Sequence, residues 1–190
     1  MKIFYFDTET TGTNPYKNGI IQISGIIEID GEVKEEFNFK SKPFPADEIN
    51  DEALEVSHTT KEMLESYDEP AKTYRSIINL LEKYCNKFDR NDKFYIAGYN
   101  VKFDADFLRQ FFSKCGDQYF GSWFRWELID ALPIFHFINY LGKIKLENYK
   151  LSTICDHFGI SLDAHDAMND IRATREVIKK IKNIEIEKEK

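Results

Sequence analysis

The chain has 190 residues, 42% of them hydrophobic, which suits one domain with a sizeable core. With a net charge of −7 the overall field repels nucleic acid unless bound cations reverse the sign locally, and the sequence shows no basic stripe of the kind that grips duplex backbone. Cys85, Cys115 and Cys155 have no Cys-x-x-Cys spacing, so no disulfide framework is expected and the thiols should be reduced and buried.

The N-terminus reaches Asp7 after only a short apolar run, which fits no signal peptide, and no segment approaches membrane-spanning length. A soluble, cytoplasmic protein with no membrane partner is therefore expected.

In chain order, Lys2 to Phe6 is β-branched and aromatic and reads as a strand bounded by Asp7. Gly19 to Asp30 is rich in isoleucine and suits a buried strand. Asp30-Gly31 then turns the chain back into a third strand over Glu32 to Lys40. A proline-bearing loop follows, then helical pieces at Asp47–Val56 and Thr60–Ser66. Ile77, Ile78, Leu81, Tyr84, Cys85 and Phe88 recur at helical spacing and predict a helix over 71–88. Phe94–Ala97 reads as a short buried strand, and Phe107 to Cys115 as a helix that Asp104 begins. A strand at Leu128–Asp130, a helix across Ala131–Leu141 and helices near Leu151–Phe158 and Asp166–Lys182 complete the list. An antiparallel opening followed by alternating strands and helices predicts an α/β fold, a three-layer domain with a mixed central sheet flanked by helices. One domain should fill residues 1–182, with a charged tail over 183–190.

Three acidic clusters stand out by their order: Phe6-Asp7-Thr8-Glu9-Thr10-Thr11-Gly12, Asn100-Val101-Lys102-Phe103-Asp104, and His165-Asp166-Ala167-Met168-Asn169-Asp170. With 33 acids in the chain, each alone is unremarkable, and Asp30-Gly31-Glu32 reads simply as a turn. On a strand, residues two apart share a side, so Asp7 and Glu9 can present both carboxylates to one site while Thr8 faces away. Ligands of α/β sheets gather at the carboxyl ends of strands, where Asp7 would lie.

Asp104 suits a helix N-cap, and capping is compatible with a place in the same crevice. Asp106 competes with it but lacks the strand-end context. Five helical residues rotate by roughly 500°, which leaves His165 and Asp170 about 140° apart. His165 must therefore precede the helix or sit in its first turn, with Asp170 one turn in. Asp166 better serves the helix N-terminus. Together, the carboxylates offer hard ligands for a pair of Mg²⁺ or Mn²⁺ ions.

These motifs closely resemble those of the DEDD superfamily of 3′→5′ exonucleases (DnaQ-like), which share the ribonuclease H-like fold. Asp7, Glu9 and the following Thr-Thr-Gly carry the first match, Asn100 and Asp104 the second. His165 with Asp170 carries the histidine (DEDDh) branch, because Asp166 stands where the tyrosine branch needs Tyr. The likeness spans about residues 1–180. It departs at Tyr99, where many relatives carry His, and at Ser57-His58-Thr59, where His-Gly-Ile is usual.

The resemblance implies that Asp7, Glu9 and Asp170 hold one metal ion, that Asp7 bridges to a second, and that Asp104 holds the second. His165 would be the general base, and Thr10, Thr11 and Asn100 would position the terminal nucleotide. It implies an enzyme that releases 5′-mononucleotides from single-stranded 3′ ends, DNA in preference to RNA. A polymerase partner is compatible with the resemblance but not indicated by it. The alternatives are an RNA-specific exoribonuclease of the oligoribonuclease or ribonuclease T kind, and a catalytically silent ribonuclease H-like binding module. The full set of acids and the histidine argue against silence.

Overall fold

In the computed structural model, which describes residues 1–162 and 167–181, strand β1 (Lys2–Thr10) runs up the middle of a five-stranded sheet. Its alternation serves both faces. Phe4 and Phe6 enter one apolar cluster, while Ile3 and Tyr5 enter another on the opposite side. Buried on both faces, the strand needs its apolar run, and the run ends where the acids begin.

β1 pairs antiparallel with β2 (Ile20–Ile29), which pairs antiparallel with β3 (Glu32–Lys40). The β2–β3 connection is the two-residue turn read from Asp30-Gly31, with φ of +53° and +89°. Positive φ at both central residues matches the twist of paired strands and is why Asp-Gly belongs there. On its other side β1 pairs parallel with β4 (Phe94–Gly98), and β4 with β5 (Phe124–Asp130), giving the order β3-β2-β1-β4-β5. The mixed sheet predicted from sequence is thus observed.

Between β3 and β4 lie α1 (Asp51–Val56), α2 (Lys61–Glu65) and α3 (Pro70–Glu82), and α4 (Val101–Lys114) follows β4. The chain then passes a single 3₁₀ turn at Phe120–Ser122, β5, α5 (Ala131–Tyr140), α6 (Leu151–Phe158) and α7 (Ala167–Ile181). α3 and α4 cover the Phe4 and Phe6 face. α5, α6 and α7 cover the Ile3 and Tyr5 face. The result is a three-layer α/β sandwich.

Several boundaries differ from the pattern-based reading, each for a local reason. β1 continues through Asp7 and Glu9 because both still pair with β2, opposite Ser24 and Gln22. α3 stops at Glu82 although apolar spacing continues to Phe88. There the Asp92 carboxylate accepts the Asn86 N–H (2.9 Å) and the Asn86 side chain accepts the Phe88 N–H (3.1 Å). Such local bonds compete with the helix for the backbone, and Phe88 ends up exposed. α1 begins at Asp51 rather than Asp47, because the buried Asp47 carboxylate accepts the Phe44 N–H (2.9 Å) and pairs with Lys114. β5 is longer than Leu128–Asp130, since Phe124 pairs with Phe94 before a bulge lets Leu128 pair with Ile96. The charged tail at 183–190 lies outside the described residues.

α7 is fixed to the sheet by an ion pair. Arg175 Nε donates to Glu28 Oε2 at 2.6 Å, with the Glu28 side chain 3% exposed and that of Arg175 12%. A second arginine one turn earlier, Arg172, reaches Glu36 on β3. Removing one member of a buried pair strands the other charge, at a cost of about 3–5 kcal/mol. Arg175→Met should therefore lower the urea-unfolding free energy by about that amount, and the double variant Arg175→Met with Glu28→Gln should recover much of it. Equal loss in both would remove the ion pair as the fastening of α7.

Candidate active site

The carboxyl ends of β1 and β4 flank a crevice of about 200 Å³ lined by Asp7, Gly98, Tyr99, Leu151, Asp170 and Thr174 among others. The larger groove of the molecule, about 660 Å³, is apolar and lies at the other end of the strands around Phe88, Cys115 and Trp123. Size alone would select the wrong end of the sheet; the titratable groups select the crevice.

Asp7 and Glu9 stand two apart on β1 and face the α7 side, where Asp170 enters from the first turn of that helix. Thr8 faces the opposite way, toward α4. It is the residue that sequence reasoning passed over. Its N–H (2.9 Å) and its hydroxyl (2.7 Å) both donate to Asp104 Oδ1. Asp104 is accordingly no N-cap. Asn100 occupies that position, and Asp104 lies in the first turn of α4, only 4% exposed. The signal that was available is the strand period itself, which turns Thr8 toward whichever helix covers the other face. The competing acid, Asp106, pairs with Lys102 at the surface and takes no part.

The four carboxylates sense one another. Burial, then the charges of Asp104, Glu9 and Asp170, hold the Asp7 carboxyl well above its usual range. Burial, then Asp170, raises Glu9, and nearby His58 opposes that rise. Burial pushes Asp104 up to about 7, even though both Thr8 bonds favour its charged form. Such shifts mark buried acids repelling each other, which is the environment a divalent cation relieves. The donor set, all carboxylate, fits a hard ion such as Mg²⁺ or Mn²⁺. Among the described residues no three such side chains are already drawn together as a coordinating group.

The rim is built from strained and braced backbone. Asn100 has φ +57° and donates its N–H to Asp130 Oδ1 at 2.8 Å, which ties the β4–α4 turn to the end of β5. Asn tolerates this left-handed conformation better than most residues. Tyr99, in place of the usual His, donates its hydroxyl to the Tyr149 carbonyl and thereby anchors the chain leading into α6. Thr11 is fully buried, its hydroxyl donating to Glu48 O (2.7 Å) and accepting from Gly19 N (2.9 Å), while the Thr10 hydroxyl donates to Gly12 O (2.7 Å). Both side chains are committed to folding the loop after β1, which leaves backbone groups to meet a ligand.

His58 closes α1 in the left-handed position, φ +50°. Its N–H bonds Glu55 O at 3.1 Å and the Thr59 N–H bonds Leu54 O at 2.9 Å. That bond pair is the Schellman motif, whose left-handed residue is usually glycine. The departure from His-Gly-Ile thus puts an imidazole where relatives have no side chain, close enough to Glu9 to affect its ionisation. His165 and Asp166 lie outside the described residues.

Comparisons with known proteins place this geometry. A family model described as exonuclease (RNase T) matches residues 4–178. The PolC-type DNA polymerase III of Thermotoga petrophila is 28% identical over 172 residues, covering 90% of this chain and 11% of that protein. The Lacticaseibacillus paracasei PolC-type polymerase is 26% identical, covering 89% of this chain and 10% of the relative. Among solved structures, Escherichia coli exonuclease I in complex with a dT13 oligonucleotide superposes with a TM-score of 0.79 at 22% identity, over 96% of this chain and 41% of that one. The zinc-bound exonuclease I–single-stranded DNA complex gives 0.80 at 23%, over 96% and 40%. The chain therefore spans about a tenth of the polymerases and two fifths of exonuclease I.

The carboxylate cluster has a consequence for stability. Acids whose pKa is raised by folding stabilise the metal-free protein only below their unfolded pKa, near 4, and that contribution is lost as pH rises through the folded values, about 7 for Asp104. In excess chelator, Asp7→Asn should raise the thermal midpoint near pH 8, by about 2–4 °C for each kcal/mol of repulsion relieved. The gain should vanish near pH 4, where Asp7 is protonated in any case. An equal effect at both pH values would show that repulsion is not the cause.

Proposed function

The chain belongs to the RNase T exonuclease family, and on that footing we propose that it is a metal-dependent 3′→5′ exonuclease releasing 5′-mononucleotides from single-stranded 3′ ends, with DNA preferred. The observation that carries this reading is that Glu9, Asp104 and Asp170, from three separate segments, all come near enough to Asp7 for their charges to act on it, with Asp7 and Asp170 lining one crevice at the strand ends. Preference for DNA is supported by the DNA polymerases among the relatives and by the DNA oligonucleotides bound in the exonuclease I complexes.

In this reading Asp7, Glu9, Asp104 and Asp170 hold two divalent cations, Mg²⁺ or Mn²⁺. When bound, such a pair neutralises charge on the attacking and leaving oxygens of an in-line displacement. The protein supplies the rest. Thr8 fixes Asp104 through two hydrogen bonds to one of its oxygens, which holds the orientation of that carboxylate. The loop backbone at Thr10 and Thr11, with Asn100 at the crevice rim, orients the terminal nucleotide and its scissile phosphate. His165, on the chain entering α7, accepts the proton of the attacking water. The departing strand leaves with a new 3′-hydroxyl, and the nucleotide keeps its 5′-phosphate.

Asp7→Ala should abolish turnover while preserving the fold, and excess chelator should do the same to the wild type. His165→Ala should retain oligonucleotide binding and lose about 10²–10⁴ in rate, the usual contribution of a general base. Digestion of 5′-labelled DNA and RNA oligomers checks these expectations and the sugar preference. Turnover that survives chelation, or efficient cutting of a circular single strand, would overturn the assignment.

A further inference from the structure

The ten residues of α5 include no Asp, Glu, Lys or Arg, although the chain as a whole is rich in charge. The helix buries Ala131 and Phe135 in the cluster shared with α6 and α7, and Ile138 is buried as well. It leaves two large rings outside, Phe137 at 56% and Tyr140 at 83% exposure. These rings are neighbours, with centroids 6.4 Å apart and planes within 25° of parallel. A lone exposed ring needs no explanation, whereas adjacent rings on an uncharged face suggest a ligand with flat apolar surfaces.

The chain that follows supplies charge of one sign. Between Leu141 and Lys150 stand Lys143, Lys145 and Lys150 against Glu147 alone, a local balance of 3 − 1 = +2 in a chain of net −7. Lys145 and Lys150 are exposed and, among the described residues, form no ion pair. The α5–α6 stretch that carries this strip meets the crevice surroundings at its two ends, with Phe137 and Tyr140 on the last turns of α5. At the start, Asp130 caps α5 and accepts the Asn100 N–H. At the far end, the Tyr149 carbonyl accepts the Tyr99 hydroxyl, and Leu151 lines the crevice beside Asp7 and Asp170. The Tyr149 ring, edge-on to His136 at 4.2 Å, adds a third aromatic surface between them.

We propose that the strip from Phe137 to Lys150 binds the nucleotides 5′ to the terminal one, with bases stacking on Phe137 and Tyr140 and phosphates meeting Lys145 and Lys150. The proposal rests on the exonuclease reading above, since it takes the 3′ end to sit among the carboxylates. Single-stranded nucleic acid alternates flat apolar bases with anionic phosphates, and aromatic platforms flanked by cations are the surface that holds it without reading sequence. An apolar protein partner would account for the rings but not for the exposed Lys145 and Lys150 that follow them. The strip also resolves an electrostatic difficulty. A protein of net −7 needs a local cationic path to bring a polyanion to an acidic crevice.

The test compares Tyr140→Ala and the pair Lys145→Ala/Lys150→Ala with wild type on two substrates. One is a long oligothymidylate; the other is the p-nitrophenyl ester of thymidine 5′-monophosphate, which fills only the terminal position. KM for the oligomer should rise about five- to tenfold for Tyr140→Ala, the factor expected for loss of one stacking platform, with kcat held. Hydrolysis of the ester and the thermal midpoint should not change. For the lysine pair, the fall of affinity with salt should also become shallower.

An unchanged KM for the oligomer, or an equal loss on the ester, would overturn the strip. So would rings whose removal abolishes self-association of the protein while leaving the oligomer's KM alone. Anisotropy of a labelled oligothymidylate in excess chelator reads the strip without turnover. Binding there that weakens in the variants, in a protein that cleaves neither substrate, would keep the strip and discard the exonuclease reading.

Discussion

The structure is organised around carboxylates whose charge folding disfavours, first by burial and then by the nearness of other acids. Asp7, Glu9, Asp104 and Asp170 come from β1, α4 and α7, and the fold brings them near the end of one strand, where burial and neighbouring charges raise the pKa of Asp7 and Glu9. Packing must hold them there. On one side Thr8 takes Asp104 by two hydrogen bonds. On the other, Arg175 locks α7 to β2 through the buried Glu28, one turn beyond Asp170. The apolar clusters on the two faces of β1 complete the restraint, because neither helix can withdraw without exposing Phe107 and Leu108 or Ile171 and Val177. Preorganised negative charge of this kind is poorly tolerated empty and well matched to a cation, which links the strain of the fold to the chemistry proposed for it.

Topology decides where this happens. The chain leaves β1 toward β2 and β3 on one side and returns to β4 and β5 on the other, so the crevice opens where the strand order changes direction. Loops at such a switch point part from each other and leave room for a ligand. Here the parted loops are the turn after β1, knotted by Thr11 and Asn18, and the turn after β4, held in a left-handed conformation at Asn100. The side chains usually expected to touch substrate are consumed in this bracing, Thr11 above all. The rim is thereby stiffened so that its backbone groups keep their positions.

The outer surface divides by charge in the same economical way. Acidic residues dominate the chain, yet the helix and return segment beside the crevice carry aromatic rings and lysines instead. Elsewhere most lysines are paired with nearby acids, as Lys83 is with Glu35 and Lys72 with Asp68. In the proposed reading, a polyanion approaching this protein is drawn in along that stretch toward the carboxylates.

The sequence by itself determined what depends on local spacing. The period of two placed Asp7 and Glu9 on one side of a strand, and Asp-Gly specified a turn with positive φ. These are properties of a few neighbouring residues, and the backbone allows few alternatives. The acids' grouping was legible only as a pattern resembling a family, because no spacing along the chain brings residue 7 to residue 104. Tertiary structure alone decided that Thr8, not an N-cap, governs Asp104, that Arg175 secures the helix bearing Asp170, and that α3 ends six residues before its apolar pattern does. Each of these is settled by a competition between a local preference and a partner distant in sequence or a side chain bonding back to the backbone. Such competitions are resolved by burial and geometry, which a linear pattern does not contain.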